Sequence, residues 1–172
     1  MTARSSLQKA TDTVLNALSL QDNSAPDILS TLETEHDEVQ DLLGKLVQSD
    51  NGREQKALVG KIKAALIPHA KAEEKVVYDA VLALKGVPAK VDGNEGYIEH
   101  GLASQTLTKL SALTANTPEF KATAKVLKEL LDHHIKEEER NIWPRVKENF
   151  SDERRIQMNR EFLAAKKRVK VS

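Results

Sequence analysis

Apolar side chains return every three or four residues along most of this chain, which is the spacing of one face of an α-helix. Four long runs carry the pattern. The first reads Leu29, Leu32, His36, Val39, Leu43 and Leu46. The second reads Leu58, Ile62, Leu66, His69, Glu73, Val76, Ala80 and Leu84. The third has Tyr97, His100, Ala103, Leu107, Leu110 and Thr114, and the fourth Phe120, Ala124, Leu127, Leu131, His134, Glu138 and Ile142. Shorter amphipathic segments precede and follow them, at about Ser6 to Leu20 and from Ser151 through Ile156, Met158, Phe162 and Leu163.

Breakers punctuate the runs. Ser24 is the expected cap of the first long helix, with Pro26 in its first turn. Ser49-Asp50-Asn51-Gly52 signals a turn, and Lys85 to Gly96 is the longest expected loop. Thr117 is placed to cap the fourth helix, with Pro118 at its first helical position. Pro68 predicts a kink or division just before His69, and Pro144 a disturbance at the end of the fourth run.

Aromatic residues make up only 3% of the chain against 30% charged residues, which agrees with helices and argues against strands. The fold class expected is all-α: an up-down-up-down four-helix bundle with additional short N- and C-terminal helices. The expected division is residues 1–24 as N-terminal helix and linker, 25–150 as the bundle, and 151–172 as the C-terminal helix.

Charge and cysteine content narrow the chemistry. Lys plus Arg and Asp plus Glu both number 26, so no net positive charge recommends nucleic acid or an anionic membrane as a partner. With no cysteine, thiolate-ligated zinc, iron–sulfur clusters, disulfides and cysteine nucleophiles are excluded. No apolar run approaches a membrane span, and the first residues lack the apolar stretch of a secretory signal. A cytoplasmic location is the expectation.

The chemistry lies in an internal repeat. His69-Ala70-Lys71-Ala72-Glu73-Glu74-Lys75-Val76-Val77-Tyr78 aligns with His134-Ile135-Lys136-Glu137-Glu138-Glu139-Arg140-Asn141-Ile142-Trp143 at a shift of 65 residues. At a shift of 64, His36 falls on His100. Each half therefore reads as a lone histidine, then His-x-x-x-Glu on the next helix. Residues four apart lie one above the other, so His69 with Glu73 and His134 with Glu138 can each reach a single point.

All six residues sit on the apolar stripes. Two carboxylates and four imidazoles would thus converge inside the bundle. An interior carboxylate must be partnered or protonated, at a cost of several kcal/mol otherwise. A pair of cations resolves the conflict, with the two carboxylates bridging and the imidazoles outside. Nitrogen and oxygen donors without thiolate suit iron or manganese, and zinc is also compatible. The metal ligands expected are His36, His69, Glu73, His100, His134 and Glu138. A buried polar network with no metal is the bland alternative, and it must be fully satisfied to be tolerated.

Other residues near the pattern have ordinary readings. His133 also begins a His-x-x-x-Glu, with Glu137, and stands as a minor alternative to His134. Glu74 and Glu139 are expected to make supporting or surface contacts, and Tyr78 and Trp143 to pack. Glu33 and Tyr97 lie one turn before His36 and His100, from where either could approach the cations.

The combined signature over about Ile28 to Phe150 resembles the hemerythrin-like family of His-His-Glu cation-binding domains. The resemblance implies a four-helix bundle with a non-haem pair of iron ions, oxo- or hydroxo-bridged. It also implies a small ligand such as dioxygen, peroxide or nitric oxide. Two departures separate this chain from the oxygen carriers of that family. Ser104 stands where the carriers have a further histidine. The carriers' last carboxylate is an Asp five residues after its His, whereas here it is Glu138, four residues on. The missing imidazole favours reaction with the small ligand over guarded oxygen carriage. Alternatives of other classes are an oxygen- or iron-responsive binding module, ferritin-like iron handling and a metal-free helical interaction protein. Ferritin-like sites use Glu-x-x-His on two helices. Only Glu33-x-x-His36 occurs here.

Overall fold

A computed structural model describes residues 25–171. The expected N-terminal helix over Ser6 to Leu20 and the expected cap Ser24 lie outside the described residues. Within them the chain is helical, with no strand. The long helices are α1 (Ile28–Gln48), α2 (Gly52–Glu73), α4 (Val87–Ala112) and α5 (Pro118–Glu137). The short α3 (Asp79–Leu82) extends α2, α6 (Trp143–Asn149) extends α5, and α7 (Asp152–Lys166) closes the chain.

Packing follows the amphipathic stripes. α1 lies against α2 and α5, and α4 lies against the same two, which leaves α1 and α4 diagonal in a four-helix ring. Short connections make consecutive long helices antiparallel, in the expected up-down-up-down order. α7 packs across α1 and α2. Two apolar clusters fill the bundle. One holds Val39, Leu43, Ile62, Leu107, Phe120 and Leu127. The other holds Ile28, Leu32, Val77, Tyr78, Val146 and Phe162, the last from α7. The histidine and glutamate layer lies between them, so water is excluded from both directions along the axis.

Side-chain caps account for the starts of α1, α2, α5 and α7, the first against expectation. Asp27, not Ser24, caps α1: its carboxylate accepts from the Leu29 N–H at 2.9 Å. Pro26 therefore precedes the cap instead of standing in the first turn. Asp27 also takes Arg155 Nε of α7 at 2.6 Å, which ties the last helix to the start of the first. Asn51, Thr117 and Ser151 cap α2, α5 and α7 with their side chains. Pro118 holds the first position of α5 as expected.

Two expectations about breaks are corrected. Helix α2 runs unbroken through Pro68. The carbonyl that Pro68 cannot bond belongs to Ala64, an exposed residue, so water can satisfy it. The irregularity comes later: Glu74–Tyr78 and Glu138–Ile142 are π-helical turns, one per repeat. The long loop expected over Lys85 to Gly96 shrinks to the residues between α3 and Val87, because α4 begins ten residues earlier than Tyr97. Gly93 and Gly96 belong to that helix for steric reasons. A Cβ on Gly93 would stand 2.9 Å from the Leu82 side chain, and one on Gly96 would stand 2.5 Å from Cζ of Tyr78. These glycines admit close packing rather than a loop.

Candidate metal centre

Each of the four long helices contributes to one buried layer. His36 comes from α1, His69 and Glu73 from the end of α2, and His100 from the middle of α4. His134 comes from α5 and Glu138 from the π turn that follows. All six are buried. Glu73, His100, His134 and Glu138 each offer a ligand atom within 4.8 Å of the others, and so do His36, His69 and Glu73. Glu73 belongs to both groups.

The carboxylates link helices in pairs. Glu73 Oε2 lies 3.1 Å from His69 Nε2 and 3.7 Å from His100 Nε2. Glu138 Oε2 lies 3.4 Å from His36 Nε2 and 3.5 Å from His134 Nε2. Several of these contacts are too long or poorly aligned for hydrogen bonds. His36 Nδ1 and Nε2, both oxygens of Glu73, His100 Nδ1 and Glu138 Oε2 are buried with no hydrogen-bond partner among the described residues. A protein interior rarely strands so many polar atoms, since each costs about 1–3 kcal/mol. Imidazole nitrogens and carboxylate oxygens are also the donor set of first-row divalent cations. The residues therefore fit a metal pair, and they fail the requirement of the bland alternative, a satisfied polar network.

Carboxylates outside the layer aim the imidazoles. Glu35 Oε2 takes His69 Nδ1 at 2.9 Å, and Glu99 Oε2 takes His134 Nδ1 at 2.7 Å. With a proton on each Nδ1, the Nε2 lone pair is turned inward. Glu74 Oε1 lies 3.4 Å from His100 Nδ1 and accepts from Lys71 Nζ at 3.0 Å. Among the described residues His36 has no such carboxylate. Its ring stacks instead on Trp143, with centroids 5.9 Å apart and planes at 16°.

The electrostatics are divided. Burial pushes His36 down to about 3, against the pull of Glu73. Burial works the same way on His69, but Glu73 and Glu35 outweigh it and hold that imidazole up at about 10. His100 is lowered by burial, and His134 is raised because Glu138 and Glu99 overcome burial. The two central carboxylates split. Burial and the neighbouring Glu73 charge raise Glu138, whereas His69 and the other imidazoles pull Glu73 down despite its burial. Such a set titrates as a unit, and a cation that replaces its protons relieves the repulsion between the acids.

The neighbours of the pattern separate cleanly. His133 points outward, with its side chain 61% exposed against 3% for His134, and lies 3.6 Å from Glu99 Oε1. Tyr97 donates its hydroxyl to the Glu74 carbonyl and to Asp79 Oδ1 at 2.8 Å, away from the layer. Glu33 and Glu139 are exposed.

Two kinds of residue escaped sequence reasoning. Glu35 and Glu99 carried a signal, since each directly precedes a repeated histidine at the same 64-residue shift. Tyr78 carried a misleading one. Five residues after Glu73, it would face away on an α-helix, but the π turn closes a loop of five and brings it round. Its hydroxyl donates to Glu138 Oε1 and lies 3.4 Å from His100 Nε2, so Tyr78 is a polar neighbour of the layer as well as a packing residue. Burial and the adjacent acids raise the phenol well above its ordinary range, so it keeps its proton.

A cavity of about 280 Å³ between α2 and α4 reaches His100. Leu66, Ala70, Ala103 and Ser104 are among the residues that line it. Ser104 thus occupies a wall of the path to the layer, where a larger side chain would narrow it.

Comparisons with known proteins agree with this arrangement. The family model described as hemerythrin HHE cation binding domain matches residues 27–146. A protein of Nostoc sp. named DNA nickase is 29% identical over 148 residues, covering 86% of this chain and 41% of that protein. An uncharacterized hemerythrin-like protein of Schizosaccharomyces pombe is 32% identical over 104 residues, covering 60% of this chain and 51% of that protein. The chain thus spans about half or less of the length of these relatives. No solved structure matches it significantly.

Proposed function

The chain belongs to the hemerythrin HHE cation-binding domain family, and from that premise we propose that it is a non-haem di-iron protein that binds dioxygen or reacts with peroxide or nitric oxide. The observation that carries the proposal is the set of stranded donor atoms on four helices, arranged as two groups that share Glu73. His36, His69, His100 and His134 would hold the ions from outside, with Glu73 and Glu138 between them. When bound, an iron pair supplies redox chemistry toward small oxygen and nitrogen species. The chain's own residues do the rest. Glu35 and Glu99 keep the Nδ1 protons of His69 and His134 in place and so present Nε2 inward. Tyr78 holds a proton against Glu138 Oε1, where it can restrain or follow movement of that carboxylate. The apolar clusters above and below the layer exclude bulk water. The cavity beside Ser104, about 280 Å³, has the volume to hold diatomic molecules or peroxide.

The test is consumption of dioxygen, peroxide and nitric oxide by protein loaded anaerobically with ferrous iron. At least one should be consumed faster than by the Glu138→Ala variant carrying the same total iron in solution. Equal rates for all three would overturn the proposal. DNA cleavage has only the name of the Nostoc relative behind it. Incubating supercoiled plasmid with the iron-loaded protein would reveal nicking if that reading applied.

A further inference from the structure

The two halves of the repeat present different faces to solvent. Beside Glu138, between α4 and the π turn after α5, runs a narrow cleft of about 10 Å³, room for one water-sized sphere. Asp92, Glu95, Glu99, Glu137, Glu138 and Asn141 are among the residues lining it. Glu95 is exposed at its mouth and has no ion-pair partner among the described residues. Glu99 is mostly buried below it, and Glu138 is 2% exposed at its floor. Glu138 Oε2, which has no hydrogen-bond partner among the described residues, lies on the layer side, 3.4 Å from His36 Nε2 and 3.5 Å from His134 Nε2.

The repeat supplies an internal control. At the 64-residue shift, Asp92, Glu95 and Gly96 correspond to Ile28, Thr31 and Leu32. At the 65-residue shift, Glu137, Asn141 and Ile142 correspond to Ala72, Val76 and Val77. In the first half Thr31 stands for Glu95 and Glu35 for Glu99, but Ile28, Leu32, Ala72, Val76 and Val77 are apolar and buried in one cluster with Met158 and Phe162 of α7. One half is sealed by a helix, while the other keeps acids and an amide on a path to the layer.

We propose that this acidic cleft is the entry route by which divalent cations reach the buried layer, with Glu95 as the first carboxylate they meet and Glu99 and Asn141 between it and Glu138. The inference rests on the reading of the layer as a cation site. A cation moving inward exchanges water for carboxylate and amide oxygens step by step, so it is never bare in an apolar medium. Arg145 pairs with Asp92 at 2.5 Å and Arg140 with Glu137 at 2.6 Å, so attraction at the mouth falls to Glu95, where negative potential raises the local cation concentration and the association rate.

Trp143 makes the route measurable without any assay of activity. It is the single tryptophan of the chain and stacks on His36. Its fluorescence in a stopped-flow mixer, with ferrous iron added under argon to the full chain, should report arrival of the ion. Glu95→Lys should slow uptake about tenfold at low salt. The difference should shrink as ionic strength rises. Glu95→Gln should lie between. Glu38→Lys makes the same charge change at an exposed site in a different cavity mouth, between α1 and α2, and should leave the rate close to that of the unmodified chain. Final iron per chain should be the same in all of them. Equal slowing by Glu95→Lys and Glu38→Lys, or no slowing by either, would overturn the route while leaving the site intact. Failure of the unmodified chain to bind iron at saturation would overturn the site and the route with it.

Discussion

Glu35 and Glu99 each stand one residue before a clustered histidine, yet each serves the imidazole of a neighbouring helix: Glu35 holds His69, and Glu99 holds His134. Removing either should loosen an aimed ring without removing a donor. Glu35→Ala and Glu99→Ala are expected to weaken iron affinity by about 10–100-fold, measured by competition with a chromophoric chelator. Glu33→Ala should leave affinity unchanged, since that carboxylate is exposed. His133→Ala should likewise retain the metal. At this scale the six candidate ligands were legible because two periodicities coincide on them, the helical repeat of four and the internal repeat of 64 or 65 residues. Their supporting partners were less so. A carboxylate that reaches across to another helix leaves no local pattern, and the phase of Tyr78 is intelligible only once the π turn is known.

The helices divide into those that carry donors and one that fastens them. α7 places Phe162 edge-on against the His69 ring at 5.7 Å, and Lys166 bonds Glu35 Oε2 at 2.6 Å. Phe162→Ala would open a cavity beside the donors and should cost about 3–5 kcal/mol in urea unfolding. The glycines of α4 make a contrasting pair. Gly101→Ala meets nothing within 4 Å and should stabilise the protein by about 0.4–1 kcal/mol. Gly96→Ala would press on the Tyr78 ring and should destabilise by about 1–3 kcal/mol. Element boundaries show where sequence patterns mislead. Gly93 and Gly96 read as loop residues because glycine is common in loops, but here they mark where α4 lies tightly against Leu82 and Tyr78. Pro68 reads as a break, but it costs one hydrogen bond at an exposed carbonyl. The π turns have no sequence signature of their own.

Among the described residues the apolar interior of the bundle is interrupted by a polar layer, and that layer is unfavourable by itself. Buried donors without partners subtract from a stability that is typically only 5–15 kcal/mol. Cation binding to the folded chain alone should therefore raise its melting temperature, and a strong chelator should lower it again. Glu138→Ala should lose this shift. The all-helical, antiparallel plan was legible because the stripes of His36, His69, His100 and His134 continue the apolar faces that build the core. No helix among the described residues is long and apolar enough to cross a membrane. The most direct measurement is metal content by elemental analysis after ferrous loading and desalting. The proposed di-iron function predicts two iron ions per chain in the unmodified protein and in His133→Ala, with loss of metal in Glu73→Ala and Glu138→Ala. An unmodified protein that retains no iron, or retains it equally in the Glu73→Ala variant, would contradict the account.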